Sequence, residues 1–176
     1  MREKIIIAGA GGQGVMLLGK VLAEAAMRED RFVTWLPSYG AEVRGGTSHS
    51  MVIISDREIG SPYIERPDSL IIMNAPSLER FKNRIADKGL LILNSSLVSK
   101  YTDKNLHVLQ YPFTDIAIKL GNIRVANMVA LGCFIARKKV VGLKSISGVI
   151  SDIAPQEKKH LIGINKKALQ EGANLK

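Results

Sequence analysis

Short apolar runs recur along the chain, and polar or glycine-rich stretches separate them. Runs of this length that are rich in isoleucine, leucine and valine predict β-strands, and those without alternating polar residues predict strands covered on both faces. The predicted strands cover residues 4–8, 32–36, 51–54, 70–73, 90–93 and 107–110. Pro37 is expected to stop the second of these strands.

Longer stretches between and after these runs carry apolar residues at helical spacing. They predict helices over residues 15–28, 77–85, 114–121, 125–136, 143–150 and 157–170. Ser77 and Thr114 are expected to cap the amino ends of two of these helices, and Gly172 is expected to end the last one at a C′ position.

Strands that alternate with helices predict an α/β protein, namely a three-layer α/β/α domain with a mainly parallel, Rossmann-like sheet. The chain has 176 residues, of which 46% are hydrophobic and 23% charged, so residues 1–176 are expected to form a single domain. Ligands of such a sheet collect beyond the carboxyl ends of its strands. Candidate site residues are therefore expected at those ends.

The net charge of +9 would suit nucleic acid, an anionic cofactor or an acidic partner subunit. Nine basic and three acidic residues follow position 136, but aromatic side chains are scarce there and no nucleic-acid-binding module occurs, so no nucleic-acid role is expected. The single cysteine, Cys133, excludes a disulfide framework and an iron–sulfur cluster held by several thiolates. Without a signal peptide or an apolar run near ~18 residues, a cytoplasmic location away from membranes is expected.

A glycine-rich turn follows the first predicted strand and precedes the first predicted helix. Gly9, Gly11 and Gly14 satisfy the pattern G-x-G-x-x-G, and Gly12 and Gln13 lie between them. Glycines let a backbone approach a ligand closely, and the free N–H groups at a helix amino end attract anions. The turn is therefore a candidate cofactor-binding or subunit-interface site.

The acidic residue of a dinucleotide site is missing from this chain. In such a site, an acid at the end of the second strand, about 20 residues after the turn, binds the ribose. Here that place reads Leu36-Pro37-Ser38, which disfavours tightly held NAD or FAD. Two interpretations stay open: the glycines only form a tight turn, or another anionic group or a partner's backbone lies against them.

A long loop follows the second predicted strand and reads SYGAEVRGGTS over residues 38–48. Glu42 and Arg44 could pair with each other at the surface, which would stabilise the protein little. Alternatively, Arg44 could bind a phosphate or carboxylate with two hydrogen bonds while the glycines let the loop pass close to a neighbour. The candidate site residues of this loop are Ser38, Tyr39, Gly40, Glu42, Arg44, Gly45 and Gly46.

Other polar residues lie near the predicted strand ends. Asn74 and Asn94 could orient the glycine turn or a partner chain, or could bond only to nearby backbone. Asn127 lies within an apolar helix and is expected either to hydrogen-bond a loop inside the fold or to serve an interface. Cys133 of the same helix is expected to be buried and inert, while His49 lacks an evident carboxylate partner and the histidine spacing predicts no metal site.

Several motifs together resemble one protein family. They are GAGGQG, SYGAEVRGG, Ser61-Pro62, Pro67-Asp68, Gly121-Asn122 with Arg124, Asn127-Met128 and the segment NKKALQEG. This combination closely resembles the gamma subunit of 2-oxoacid:ferredoxin oxidoreductases, a unit that is also an internal domain of single-chain pyruvate:ferredoxin oxidoreductases. The resemblance covers essentially the whole chain, and the SYGAEVRGG loop is more similar to 2-oxoglutarate-type than to pyruvate-type gamma subunits.

The resemblance implies a complex that converts a 2-oxoacid, coenzyme A and oxidised ferredoxin to an acyl-CoA, carbon dioxide and reduced ferredoxin. It also implies thiamine diphosphate and iron–sulfur clusters. The chain has no Gly-Asp-Gly thiamine-diphosphate signature and only one cysteine, so both cofactors are expected on companion alpha and beta subunits, or on a delta subunit. This subunit is expected to bind no cofactor alone, to carry no catalytic residue, and to shape the assembly or the approach of coenzyme A. Isolated, it could form a homodimer.

A free-standing NAD(P)-binding oxidoreductase is the competing hypothesis, because the glycine turn has the required position between strand and helix. The missing acid argues against it, although basic residues could accept a 2′-phosphate instead.

Overall fold

The computed structural model of the protein describes residues 1–38 and 47–175. Within these ranges the β-strands are β1 (Arg2–Ala10), β2 (Phe32–Ser38), β3 (Thr47–Ser55), β4 (Ser69–Ile72), β5 (Leu90–Asn94) and β6 (His107–Tyr111). The α-helices are α1 (Val15–Met27), α2 (Ala75–Phe81), α3 (Phe113–Lys119), α4 (Ala126–Lys138), α5 (Leu143–Asp152) and α6 (Ile162–Ala173). Short 3-10 helices cover Lys82–Arg84, Ile123–Val125 and Gln156–Leu161.

All the described strands belong to one sheet, in the order β2-β3-β1-β4-β5-β6. β1, β4, β5 and β6 pair in parallel, whereas β3 pairs antiparallel with both β1 and β2. The predicted mainly parallel sheet is therefore confirmed, and β3 is an exception that the sequence pattern did not indicate. Its direction has a simple cause: only residues 39–46 join β2 to β3, and a parallel return needs a dozen or more residues.

Hydrophobic side chains alternate between the two faces of the sheet and form two cores. Ile5 and Ile7 of β1 belong to the larger core, which is packed by α1, α3, α4, α5 and α6. Ile6 and Ala8 belong to a smaller core, which contains Phe81 of α2. Helices therefore cover both faces, and the three-layer α/β/α architecture is confirmed.

The second strand does not stop at the proline that follows its apolar run. β2 continues through Pro37 to Ser38, and both residues pair with β3. β2 is an edge strand, where the missing N–H of proline can face away from the neighbouring strand. Edge position therefore explains why Pro37 is tolerated and why the predicted end of the strand was wrong.

Both predicted helix caps are wrong. Asn74 caps α2, because its Oδ1 accepts a hydrogen bond of 3.2 Å from the backbone N–H of Ser77, which lies inside the first turn. Thr114 lies inside α3, which begins directly after Pro112. Asn74 therefore does bond to nearby backbone, as one of its two predicted roles required.

Helices α4 and α6 cross with backbone against backbone. A Cβ at Gly132 of α4 would overlap the carbonyl oxygen of Leu169, and a Cβ at Gly172 of α6 would overlap that of Val129. The prediction that Gly172 ends the last helix is therefore wrong, because α6 continues to Ala173 and Gly172 is buried within it. Glycine at these two positions lets the helices pack in direct contact.

Candidate functional site

The glycine turn joins the carboxyl end of β1 to the amino end of α1. Gly12 and Gly14 have positive backbone φ angles of 88° and 71°, which residues with a Cβ rarely adopt. Ala10 accepts a backbone hydrogen bond from Gln13, and α1 begins at Val15. The predicted strand–turn–helix arrangement is therefore present.

The side-chain amide of Gln13 stabilises this turn through hydrogen bonds at both its oxygen and its nitrogen. Its Oε1 accepts a 2.7 Å hydrogen bond from the backbone N–H of Ala10, and its Nε2 donates a 3.2 Å hydrogen bond to the carbonyl oxygen of Met73, directly after β4. A Cβ on Gly9 would lie 2.6 Å from Oε1 of Gln13 and 2.9 Å from Cβ of Met73. Gly9 therefore makes room for the glutamine that fixes the turn to the neighbouring strand.

Asn127 fixes the other end of the turn. Its Nδ2 donates a 3.1 Å hydrogen bond to the carbonyl oxygen of Gly14, and its Oδ1 accepts a 2.9 Å hydrogen bond from the N–H of Met128. A Cβ on Gly14 would overlap the Asn127 amide. Asn127 is only 2% exposed, so the structure shows it hydrogen-bonding a turn inside the fold.

Asn94 extends this set of amides across the sheet edge. The side chain is fully buried, and its Nδ2 donates to the carbonyl oxygen of Met73 at 3.2 Å and to Oγ1 of Thr114 at 2.8 Å. Met73 therefore accepts from both Gln13 and Asn94. Buried amides with satisfied hydrogen bonds hold the carboxyl ends of β1, β4 and β5 in one arrangement.

The outer side of the turn is open. Gly11 and Gly12 are exposed, and a Cβ at either position would meet no atom within 4 Å. Gly9 and Gly14 are needed for internal packing, but crowding does not account for Gly11 or Gly12. The outer half of the turn is thus the part that a ligand or a partner's backbone can approach closely.

A half-open cavity of about 420 Å³ lies beside the turn, and Gly12 and Gly14 form part of its wall. The other walls come from α1, from the segment that starts α4, from the end of α5 and from the start of α6. Its volume lies within the usual range for ligand pockets. Sequence reasoning did not predict this cavity, because its walls come from segments far apart in the chain.

Three cations line this cavity, namely Lys20, Arg124 and Lys158. Their side chains are exposed, and no aspartate or glutamate is among the lining residues. None of the three takes part in an ion pair within residues 1–38 and 47–175. The cavity therefore combines an apolar interior with a positively charged opening.

The long loop ends at Thr47, beside the strand that leads into the glycine turn, and begins one strand further away. Ser38, which ends β2, pairs with His49, and Thr47, which begins β3, pairs with Ala10 at the end of β1. The other predicted loop residues lie outside the described residues, and so does the predicted pairing of Glu42 with Arg44. They are Tyr39, Gly40, Glu42, Arg44, Gly45 and Gly46.

His49 lies on the α2 side of the sheet. Its ring packs against Phe81 with centroids 5.0 Å apart, and the guanidinium groups of Arg80 and Arg84 lie over the same phenyl ring. Burial, and then the charges of Arg80 and Arg84, lower the pKa of His49. This basic and aromatic cluster therefore favours the neutral form of the histidine.

Cys133 lies buried within α4, and burial raises the pKa of its thiol to about 11. A thiol with this pKa is protonated at neutral pH, so it is a poor nucleophile. The described part of the chain contains no group of three or more His, Cys, Asp or Glu side chains that could hold a metal ion. No helix in that part is long and apolar enough to cross a membrane.

Fold and site together define a three-layer α/β domain that presents a braced glycine turn at its sheet edge. Residues 4–175 match the family described as pyruvate ferredoxin/flavodoxin oxidoreductase, and the chain belongs to this family. The crystal structure of a keto/oxoacid ferredoxin oxidoreductase gamma subunit from Geobacter sulfurreducens is similar, with a TM-score of 0.83 and 31% identity over 97% of this chain and 95% of that one.

Two archaeal relatives extend the comparison. Ketoisovalerate oxidoreductase subunit VorA of Methanothermobacter thermautotrophicus is 39% identical over 97% of this chain and 35% of its own length. 2-Oxoglutarate synthase subunit KorC of Methanocaldococcus jannaschii is 35% identical over 94% of this chain and 92% of its own length. The chain therefore spans about a third of VorA but nearly all of KorC.

Proposed function

We propose that this chain is the gamma subunit of a multi-subunit 2-oxoacid:ferredoxin oxidoreductase, of the 2-oxoglutarate type. The complex would convert 2-oxoglutarate, coenzyme A and oxidised ferredoxin to an acyl-CoA, carbon dioxide and reduced ferredoxin. The observation that carries this proposal is the likeness to the Geobacter gamma subunit, which extends over 97% of this chain.

The cofactors of the reaction would be bound by companion alpha and beta subunits, or by a delta subunit. An iron–sulfur cluster needs several cysteine ligands, and the only cysteine of this chain is buried in α4. The chain also lacks the Gly-Asp-Gly signature that would bind thiamine diphosphate. The residues of this chain therefore do not fit either group, and we assign no catalytic residue to it.

The site of this subunit would be the outer half of the glycine turn together with the neighbouring loop. Gly11 and Gly12 leave open space in which a companion's backbone or a phosphate of coenzyme A could lie close to the turn. Gln13, Asn74 and Asn127 would act indirectly, because their hydrogen bonds are made inside this chain. The loop residues from Tyr39 to Gly46 would face the same companion chains.

Reconstitution tests the proposed role. The chain is co-expressed with the companion chains of its complex, and ferredoxin reduction is measured with 2-oxoglutarate and coenzyme A. We expect activity from the complete complex and none from the lone chain. Turnover of any 2-oxoacid by the purified lone chain would contradict the proposal, and so would full activity of a complex that lacks this chain.

The choice of 2-oxoacid needs its own measurement. The SYGAEVRGG loop favours 2-oxoglutarate, whereas the identity to VorA, at 39%, favours a branched 2-oxoacid such as ketoisovalerate as the second candidate. The reconstituted complex is assayed with 2-oxoglutarate, ketoisovalerate and pyruvate at equal concentrations. A higher kcat/KM for ketoisovalerate than for 2-oxoglutarate would replace the first candidate with the second.

The topology supports this role over a free-standing NAD(P)-binding oxidoreductase. In a dinucleotide-binding sheet the second strand lies beside the first, so its terminal acid reaches the ribose. Here β3 separates β2 from β1, so the end of β2 is displaced by one strand position, about 4.8 Å. Titration calorimetry of the lone chain with NADPH, NADH and coenzyme A tests this, and micromolar binding of NADPH would favour the alternative.

We further propose that the complex acts in the cytoplasm, away from membranes and nucleic acid, and that the isolated subunit forms a homodimer. Multi-angle light scattering of the purified chain measures its oligomeric state. A monomer at all accessible concentrations would contradict the homodimer.

A further inference from the structure

The cavity beside the glycine turn continues into an exposed apolar surface. Leu17 of α1 lines the cavity yet is 44% exposed, and Ile123, between two lining residues, is 56% exposed. Ile150 and Ile153, at the end of α5, also line the cavity. Exposed apolar residues at a cavity bordered by polar groups are typical of interaction sites.

The charged residues that line the cavity are all basic. We call Lys20, Arg124 and Lys158 the basic rim; they come from α1, from the 3-10 helix before α4 and from the 3-10 helix before α6. They have no ion-pair partner in the described part of the chain. A group that is complementary to this opening must therefore be anionic at its edge and apolar at its centre.

The length of the relatives indicates what kind of group this is. VorA matches this chain over only 35% of its own length, so in that relative the equivalent unit belongs to a longer chain. The same unit makes up 92% of KorC, and a unit found in chains of such different length is expected to keep a surface for the rest of the assembly. The surface formed by the cavity and Leu17 is apolar, and it is continuous with the outer half of the glycine turn through Gly12.

We propose that this cavity receives an apolar side chain of a companion subunit, carried on a segment whose flanking carboxylates pair with the basic rim. The proposal rests on the proposed function, because it names the surface through which the gamma subunit joins its complex. An apolar anchor seated in a pocket, with charged groups around it, is the usual arrangement at the centre of a protein–protein interface. The exposed Leu17 would give the bound segment a second apolar contact, next to the side chain that enters the cavity.

Charge reversal tests the basic rim. The triple variant Lys20→Glu, Arg124→Glu and Lys158→Glu is compared with the control triple Lys119→Glu, Lys144→Glu and Lys167→Glu, which changes the net charge equally at exposed positions away from the cavity. Affinity for the purified complex of companion chains is measured by calorimetry at low and high salt. We expect the rim variant to bind about 100-fold more weakly and the control variant to bind about as tightly as the wild type.

A single substitution tests the apolar part. Leu17→Gln alters the cavity wall, and Met27→Gln alters a residue of the same helix that is 60% exposed and lies away from the cavity. We expect Leu17→Gln to weaken binding about tenfold and Met27→Gln to leave it unchanged. Hydrogen exchange on the wild-type complex gives a readout without any variant: amides of residues 12–21 and 153–165 should gain protection.

The outcomes separate this inference from the proposed function. If the wild-type chain does not bind the companion chains, the proposed function fails. If it binds them but the rim variant and Leu17→Gln bind equally well, only the docking surface is overturned. Protection confined to surfaces away from the cavity would overturn it too. One further result would overturn the docking surface: the lone chain binds coenzyme A, the rim variant does not, and the variant still assembles normally with the companion chains.

Discussion

Glycine has different roles in the α4–α6 crossing and in the turn between β1 and α1. At the crossing, Gly132 and Gly172 have ordinary helical backbones, and the space that a Cβ would need is filled by a carbonyl oxygen of the other helix. In the turn, Gly14 has both a positive φ and a crowded Cβ position, whereas Gly11 has open space around it. Glycine therefore allows two helices to pack closely at the crossing, whereas at the outer turn it leaves room for a ligand or a partner chain to approach.

This difference shows which glycines stabilise the fold and which are available for function. Substituting a packed glycine should lower stability, because backbone or a buried amide must move. Substituting an open glycine whose φ is not positive, such as Gly11, should leave stability unchanged and affect only the binding of what approaches it. Measurements of stability and of assembly can therefore separate the glycines that pack the fold, at the crossing, from those that admit a partner, at the outer turn.

The largest effect is expected at the crossing. Gly172→Ala should lower the free energy of unfolding by about 3 kcal/mol, because its Cβ overlaps the Val129 carbonyl oxygen and the helices must separate. Gly163→Ala in the same helix is the matched control, since its Cβ would meet no atom within 4 Å. Alanine should stabilise α6 there by up to about 1 kcal/mol. Urea unfolding measures both; equal stabilities for the two variants would mean that the crossing does not need Gly172.

Gly14→Ala should lower the free energy of unfolding by about 2 kcal/mol, because its φ of 71° disfavours alanine and its Cβ displaces the Asn127 amide. In a chain that already carries Asn127→Ala, the same substitution should cost only about 1 kcal/mol, because the steric conflict is gone and the backbone cost remains. Urea unfolding of the double-mutant cycle measures this coupling. Additive effects would show that Asn127 does not hold the turn.

Cys133 of α4 belongs to the larger core, so its thiol reports on the packing of that core. Burial raises its pKa from 9.0 to about 11, so the unfolded chain loses the thiol proton at lower pH than the folded chain does. Stability should therefore fall by about 2 kcal/mol more in the wild type than in Cys133→Ala as the pH rises from 9 to 11. Urea unfolding of both proteins at each pH measures the difference. An identical pH dependence would show that the thiol is not buried as described.

The smallest effect on stability is expected for Gly11→Ala. Its Cβ would lie in open space and its φ is not positive, so the free energy of unfolding should change by less than about 0.5 kcal/mol. Affinity for the companion chains should nevertheless fall, because the added methyl group lies on the outer turn. Calorimetry with the companion complex measures it. Unchanged affinity would remove Gly11 from the proposed interface.

The local parts of the fold could be predicted from the sequence. Each predicted strand overlaps an observed strand. An uninterrupted apolar run is the signal of a strand buried on both faces, and β4 and β5 are buried along their whole length, whereas β2 and β6 at the edges are partly exposed. The antiparallel direction of β3 could have been inferred from the short link between residues 38 and 47. The cap at Asn74 had a local signal as well, since Pro76 lies just inside the helix it starts.

The remaining features depend on residues distant in sequence. Gly132 of α4 lies against Leu169 of α6, and Gly172 of α6 lies against Val129 of α4. A single sequence shows no spacing that links these pairs. The side chains of Gln13 and Asn94 both donate to the carbonyl oxygen of Met73, and Asn94 also donates to Thr114. The basic rim combines three segments, and each of its cations has the local sequence of an ordinary solvated helix face. Such contacts require the tertiary structure.

The central position of β1 has a consequence for synthesis of the chain. Ile5 pairs with Val52 on one side and Ser69 on the other, so β1 leaves the ribosome before either of its neighbours and must wait for both. Pairing over such distances in sequence slows folding. A nascent polypeptide that ends before Ser69 therefore presents this isoleucine-rich strand with one edge bare, a state in which chains aggregate and chaperones bind.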